Sequence, residues 1–216
     1  TFADTVPDAS TIWLFAETLK SENMERHLFD LYNEELFKQG IEVKCGCIMD
    51  STFVEVPVQR NTREQNAQIK NGIVPAEFIA DPRVGSHKDT DARHAKKGDE
   101  EHFGYKNHVL VDTETKYSLD YTVTAASVHD SMECLDLMPP VPRCEGEESY
   151  ADSAYVGSER NPIQSDLKER GFTVQVCEKG IRNNPLTFWQ RLCNNVKSRV
   201  RGCVKTMDTP IYFYTP

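Results

Sequence analysis

Two aspartates carry the strongest chemical signal in this chain. Asp50 follows the apolar run Cys47-Ile48-Met49 and precedes Ser51, Thr52 and Phe53, so it is an acid inside the pattern of a central strand. A buried carboxylate is costly unless a hydrogen bond, an opposite charge or a cation compensates it. Ser51, Thr52 or a backbone N–H can do so in a purely structural role. Asp152 ends the run Ser149-Tyr150-Ala151 and precedes Ser153-Ala154-Tyr155, which places it at the carboxyl end of a short strand. Open α/β sheets bind ligands at that edge. If the two strands lie side by side, the carboxylates converge as hard oxygen ligands for Mg2+ (or Mn2+), leaving coordination positions for water and substrate phosphate. Two such ions ~4 Å apart stabilise the attacking and leaving oxygens of an in-line phosphoryl displacement. A polynucleotide is the natural substrate of that chemistry.

The elements that must position these acids follow from periodicity. Asp8 or Ser10 caps a first helix with Ile12, Phe15 and Leu19 on one face, and Met24, Leu28 and Leu31 repeat the spacing in a second helix ended by Gly40. The second helix is too acidic for a recognition helix, so a packing role is expected rather than helix-turn-helix readout. From residue 43 the period becomes two. Residues 43–58, 106–112 and 117–126 read as strands, followed by a short helix over 130–138 and a short strand over 148–152. A helix over 158–170 stopped by Gly171, a strand over 172–177 and a final helix over 186–206 complete the pattern. Three antiparallel strands before parallel additions is the strand order of the α/β ribonuclease-H-like fold, a mixed sheet flanked by helices. Residues 60–102 lack an apolar period and read as a long polar insertion, which in a compact domain is usually functional or mobile.

Composition narrows the class. Apolar residues make up 38% of the 216 and charged residues 27%, an ordinary globular balance with no apolar run long enough to span a bilayer. The chain opens at Thr1 without Met or a secretory signal pattern, so further upstream sequence is expected. The net charge of -9 argues on average against a nucleic-acid binder, but the average hides an asymmetry. Residues 1–42 hold nine acids against three bases, whereas residues 179–207 hold seven bases (Lys179, Arg182, Arg191, Lys197, Arg199, Arg201 and Lys205) and no acid. That end is the expected polyanion clamp. The seven cysteines form an odd set without a CxxC pair, and they read as small buried hydrophobes in a reducing, cytoplasmic compartment. His87, His94 and His102 lack metal-site spacing. Asp112 and Asp130 read as a turn residue and a helix cap, and Tyr155 and Trp189 read as core, with base stacking as the alternative.

Several segments together resemble the DDE transposases of bacterial insertion sequences, IS-four-like or IS-five-like. They are Pro7-Asp8-Ala9-Ser10-Thr11-Ile12 with Phe15, Met49-Asp50-Ser51-Thr52, and Lys88-Asp89-Thr90-Asp91-Ala92-Arg93 with Lys96-Lys97. Gly104-Tyr105-Lys106-Asn107-His108, Val111-Asp112, Ser127-Val128-His129-Asp130-Ser131 and Ala151-Asp152-Ser153-Ala154-Tyr155 continue the series in the same order. The resemblance implies an incomplete N-terminal helical region over 1–42, a ribonuclease-H-like catalytic domain over 43–208 with its polar insertion at about 60–102, and a divergent tail over 209–216. It also implies Asp50 and Asp152 as catalytic, metal-binding acids, Mg2+ (or Mn2+) as cofactor, and DNA as partner, both the terminal inverted repeats and the target. A homodimer is a further implied arrangement, and no membrane is involved.

One position departs from the family pattern. The third acid, a Glu four residues after an Arg on the last helix, corresponds to Lys205 in the stretch Lys197-Ser198-Arg199-Val200-Arg201 and beyond. Asp208 would share the helix face of Lys205, but it is a shorter side chain next to Pro210. A lysine there lowers both cation affinity and water activation, so impaired cleavage is expected. Lys197, Arg199 and Arg201 are expected to grip backbone phosphate. The alternative is a non-catalytic DNA-binding or inhibitory truncated transposase, and the bland reading is an α/β domain that binds no DNA.

Overall fold

The apolar run before Asp50 becomes the middle of a sheet. In the computed structural model, which describes residues 7–41, 43–157 and 162–202, strand β1 spans Cys47–Glu55 and its first three residues are fully buried. Burying Ile48 and Met49 contributes about 2 kcal/mol each before entropic costs. On one side β1 pairs antiparallel with β3 (Glu100–Asp112), Asp50 opposite Val109 and Ser51 opposite His108. On the other side it pairs parallel with β5 (Glu148–Ala151), Ile48 opposite Tyr150, and β5 pairs parallel with β6 (Thr173–Val176). Two further strands share the outer edge of β3: β2 (Arg93–Lys97) lies along Glu100–Gly104, and β4 (Ser118–Ala125) along Tyr105–Val111. The result is the mixed sheet read from the sequence, with β2 added.

Alternation sorts side chains onto two faces. Cys47 and Met49 join the main core with Leu110, Leu137, Tyr155, Ile163, Leu167 and Phe172. Those partners come partly from α6 (Cys134–Leu137) and α7 (Ile163–Glu169). Ile48 and Val111 face the opposite way, where Val109, Tyr150 and Val200 pack against them. Val200 belongs to α8 (Phe188–Gly202), which starts with a capping box: the Gln190 N–H donates to the Thr187 hydroxyl and the Thr187 N–H to the Gln190 side chain.

The chain divides into two compact units, the first ending at Val43 and the second beginning at Lys44. In the first, Asp8 accepts from the Thr11 N–H at the start of α1 (Ala9–Ser21), and α2 (Glu25–Lys38) gives way to Gly40 at positive φ. Neither helix has a buried residue, so the apolar face read over Ile12 and Phe15 stays exposed.

Several expectations need correction. Residues 60–102 are folded, into α3 (Arg63–Lys70), α4 (Ala76–Ala80), α5 (Pro82–Gly85), β2 and the start of β3. Each helix there is too short to display a period, and single residues such as Ile69, Phe78 and Ala92 provide the buried contacts. Arg93 ties the segment down by donating to the Ile69 carbonyl, and the Tyr105 hydroxyl donates to Asp89. The helix expected over 130–138 is split into a 3-10 turn, Asp130–Met132, and α6, and its cap is His129 rather than Asp130. Cys45 and Cys144 form a disulfide, so not every cysteine is a buried thiol; Cys47, Cys134 and Cys177 are, and Cys193 is exposed. Trp189 is not core: it is 70% exposed on α8.

Gly104 sits where β1, β2 and β3 meet, at φ +145°, and a Cβ there would collide with the Val54 carbonyl oxygen. Gly104→Ala is expected to cost about 3 kcal/mol, combining the backbone penalty with displacement of β1. Urea unfolding checks this, and a loss below about 1 kcal/mol contradicts the close packing of this junction.

Candidate active site

Asp50 and Asp152 lie two residues beyond the paired residues Ile48 and Tyr150 on adjacent parallel strands. Period two therefore puts both on the face that carries α8, at the carboxyl ends of the strands. Each carboxylate has one oxygen held by a local amide. The Ser51 N–H donates to Asp50 Oδ1 at 3.0 Å, and Asp152 caps the 3-10 turn Ser153–Val156 by accepting from the Ala154 N–H at 2.7 Å. The other oxygens meet at one point: Arg201 Nη2 lies 3.4 Å from Asp50 Oδ2 and 3.8 Å from Asp152 Oδ2. Those two oxygens cannot be farther apart than the two distances laid end to end. The Arg201 side chain is 11% exposed, that of Asp50 19% and that of Asp152 38%.

Two of the three basic residues expected at DNA are engaged inside the protein. Arg201 is on the aspartate pair, and Lys197 Nζ donates to the Val176 carbonyl at 2.9 Å. Arg199 is exposed, as are Lys179 and Arg182. Lys205 and Asp208, the two positions weighed for the third acid, lie outside the described residues. Among those described, no group of three or more His, Cys, Asp or Glu side chains forms a metal cage. The donors present, two hard carboxylate oxygens aimed at a point where a cationic group already rests, suit a divalent ion that keeps most of its water shell.

The opposite face of β1 supports the pair. Lys106 Nζ donates to the Val128 carbonyl at 2.7 Å and to Asp130 Oδ1 at 2.8 Å. Burial pushes the Asp130 carboxyl up, but the Lys106 ammonium and the Ser51 hydroxyl outweigh it and hold the group below its ordinary range. Burial, then the charges of Asp130 and Asp50, push the Tyr155 hydroxyl far above the ordinary phenol range, the Ser51 hydroxyl partly opposing, so it stays protonated. Sequence reading assigned Asp130 to a cap and overlooked Lys106. The available signal was period two in β3, which puts Lys106 and His108 on the same face as the buried Leu110. Asp112 does serve the turn, accepting from the Glu114 and Thr115 N–H groups as well as from Lys44.

Two outcomes follow from this buried side. Lys106→Met strips Asp130 of its cation and is expected to cost about 3 kcal/mol, while Lys106→Met/Asp130→Asn costs less than the two single changes together. Urea unfolding of the set measures this, and strict additivity contradicts the pairing. His108 is fully buried; burial first, opposed by Asp130 and reinforced by Lys106, pushes its imidazole below the ordinary 6.5. The folded state therefore binds fewer protons than the unfolded one, so this contribution is complete above pH 6.5 and is lost as pH falls. Thermal unfolding from neutral pH down to about pH 5 should show a steeper drop in Tm for the unaltered chain than for His108→Gln; equal slopes would exclude His108 as the cause.

Comparison with known proteins bears on the same residues. No solved structure matches the chain. The family model described as transposase DDE domain matches residues 42–204, a span that includes all six strands and both aspartates. The mixed sheet is accordingly the ribonuclease-H-like sheet of that family, whose domains generally use divalent metal ions and act on DNA, and this chain belongs to the transposase DDE domain family.

Proposed function

We propose that the chain derives from a transposase of bacterial insertion sequences, IS-four-like or IS-five-like, with Asp50 and Asp152 as its metal-binding catalytic acids. The observation that carries this is the convergence of one free oxygen from each aspartate at the carboxyl ends of β1 and β5. Mg2+ or Mn2+ at that point supplies charge stabilisation for phosphodiester hydrolysis at element ends and for strand transfer into target DNA. The amides of Ser51 and Ala154 orient the two carboxylates, and the Lys106, Asp130 and Ser51 network holds β1 from behind. Exposed Arg199, with Lys179 and Arg182, meets backbone phosphate; Lys197 and Arg201, engaged elsewhere, contribute only if those contacts open. In this reading the catalytic domain covers 43–208 behind an N-terminal helical region over 1–42, the tail over 209–216 is divergent, and the protein works in the cytoplasm with DNA, as a homodimer.

Lys205 favours a second reading, a DNA-binding or inhibitory relative that does not cleave. Without the third acid the site has two carboxylate ligands, and a lysine in place of that acid offsets part of the charge that attracts cations. Terminal inverted-repeat DNA incubated with Mg2+ and resolved on a gel is expected to show binding without efficient cleavage. Lys205→Glu alone is not expected to restore it, because the residues after position 205 also depart from the family. Binding should weaken steeply with salt, and Arg199→Ala should lower the slope of log affinity against log salt by roughly one phosphate contact. Robust cleavage by the unaltered chain overturns the impairment, and absence of binding at low salt overturns the DNA reading.

A further inference from the structure

The Asp50 and Asp152 oxygens that are not tied to backbone amides are the same two that Arg201 approaches. A divalent cation shared by the pair needs those oxygens too. Both ligands cannot hold them at once, because a guanidinium and a cation at bonding distance from the same atoms would overlap and repel. Helix α8 keeps the Arg201 backbone in place: Val200 packs on Ile48 and Val111, Lys197 donates to the Val176 carbonyl, and Asn194 donates to the Glu178 carbonyl and accepts from its N–H. What can move is the side chain itself, on its rotatable stem.

We propose that Arg201 is an internal counter-cation of this site, which competes with the divalent ion and must swing away before the aspartate pair can be loaded. The proposal rests on the metal-pair reading above and adds its regulation. A guanidinium that resides on the pair about nine-tenths of the time leaves one-tenth of molecules competent, so apparent metal affinity falls about tenfold. The helix that delivers this arginine carries four bases, Arg191, Lys197, Arg199 and Arg201, and no acid, so its charge disfavours a divalent cation at the pair.

The test is Mn2+ binding to the full chain, measured by the electron paramagnetic resonance signal of free Mn2+. Arg201→Met is expected to bind Mn2+ about tenfold more tightly than the unaltered chain, and Asp50→Asn/Arg201→Met to lose that gain. Equal or weaker binding by Arg201→Met overturns the competition while leaving the aspartate pair intact as a metal site. Failure of both the unaltered chain and Arg201→Met to bind Mn2+ overturns the pair and the competition together. Should Arg201→Met not fold, the unaltered chain still decides. Exchange of the Arg201 Nε–H, followed by nuclear magnetic resonance, should quicken as Mg2+ saturates the site, and unchanged protection at saturation overturns the swing.

Discussion

Side-chain alternation along β1 is the constraint on which the site depends. Ile48 and Asp50 face α8, whereas Met49 and Ser51 face the core built from α6 and α7. The apolar members of each set are buried, so a slip of one residue would drive Met49 out of its core and turn Asp50 into it. The free energy of packing the Cys47-Ile48-Met49 run thus determines where the carboxylate of the next residue, Asp50, is aimed. Parallel pairing with β5 does the same for Asp152 through Tyr150 and Ala151.

The two faces of the strand perform different electrostatic tasks. Behind the sheet, Asp130 is compensated by the Lys106 ammonium at 2.8 Å and by the Ser51 hydroxyl, a close, half-buried arrangement suited to rigidity. In front, Asp50 and Asp152 are each half compensated, with one oxygen on an amide and one on Arg201. A charge pair satisfied by one long, flexible cation from a neighbouring helix is open to exchange in a way that Asp130 is not. The same chemistry, an acid near a base, therefore serves stability on one face and reactivity on the other, and closeness of contact makes the difference: Lys106 lies 2.8 Å from Asp130, whereas Arg201 stands 3.4 Å and 3.8 Å from the aspartate pair.

Much of the sheet was legible in the residues. Strong β-branched runs and their polar breaks located β1, β3, β4, β5 and β6, and the ends moved by only a few residues except in β3, which starts at Glu100 rather than at residue 106. The segment over 60–102 was not legible, because its helices run from four to eight residues and lean on single buried side chains such as Ile69 and Phe78. Asp130 was misassigned because its partner Lys106 is distant in sequence and an acid at the start of a helical turn looks like a cap. Arg201 was read as a phosphate ligand because one-dimensional charge counting cannot tell a base facing solvent from one facing a pair of acids.

What the sequence alone determined is the chemistry available: two aspartates behind apolar strand runs, a basic final helix, and a lysine at position 205. Those are properties of residue type and short-range period, which survive without coordinates. Tertiary structure alone decided that β1 and β5 are neighbours, that the aspartates share a face, and that Arg201 reaches both. Each of these joins residues about fifty to one hundred and fifty positions apart, and only packing of the whole sheet against its helices brings such groups within the few ångströms over which charges act strongly.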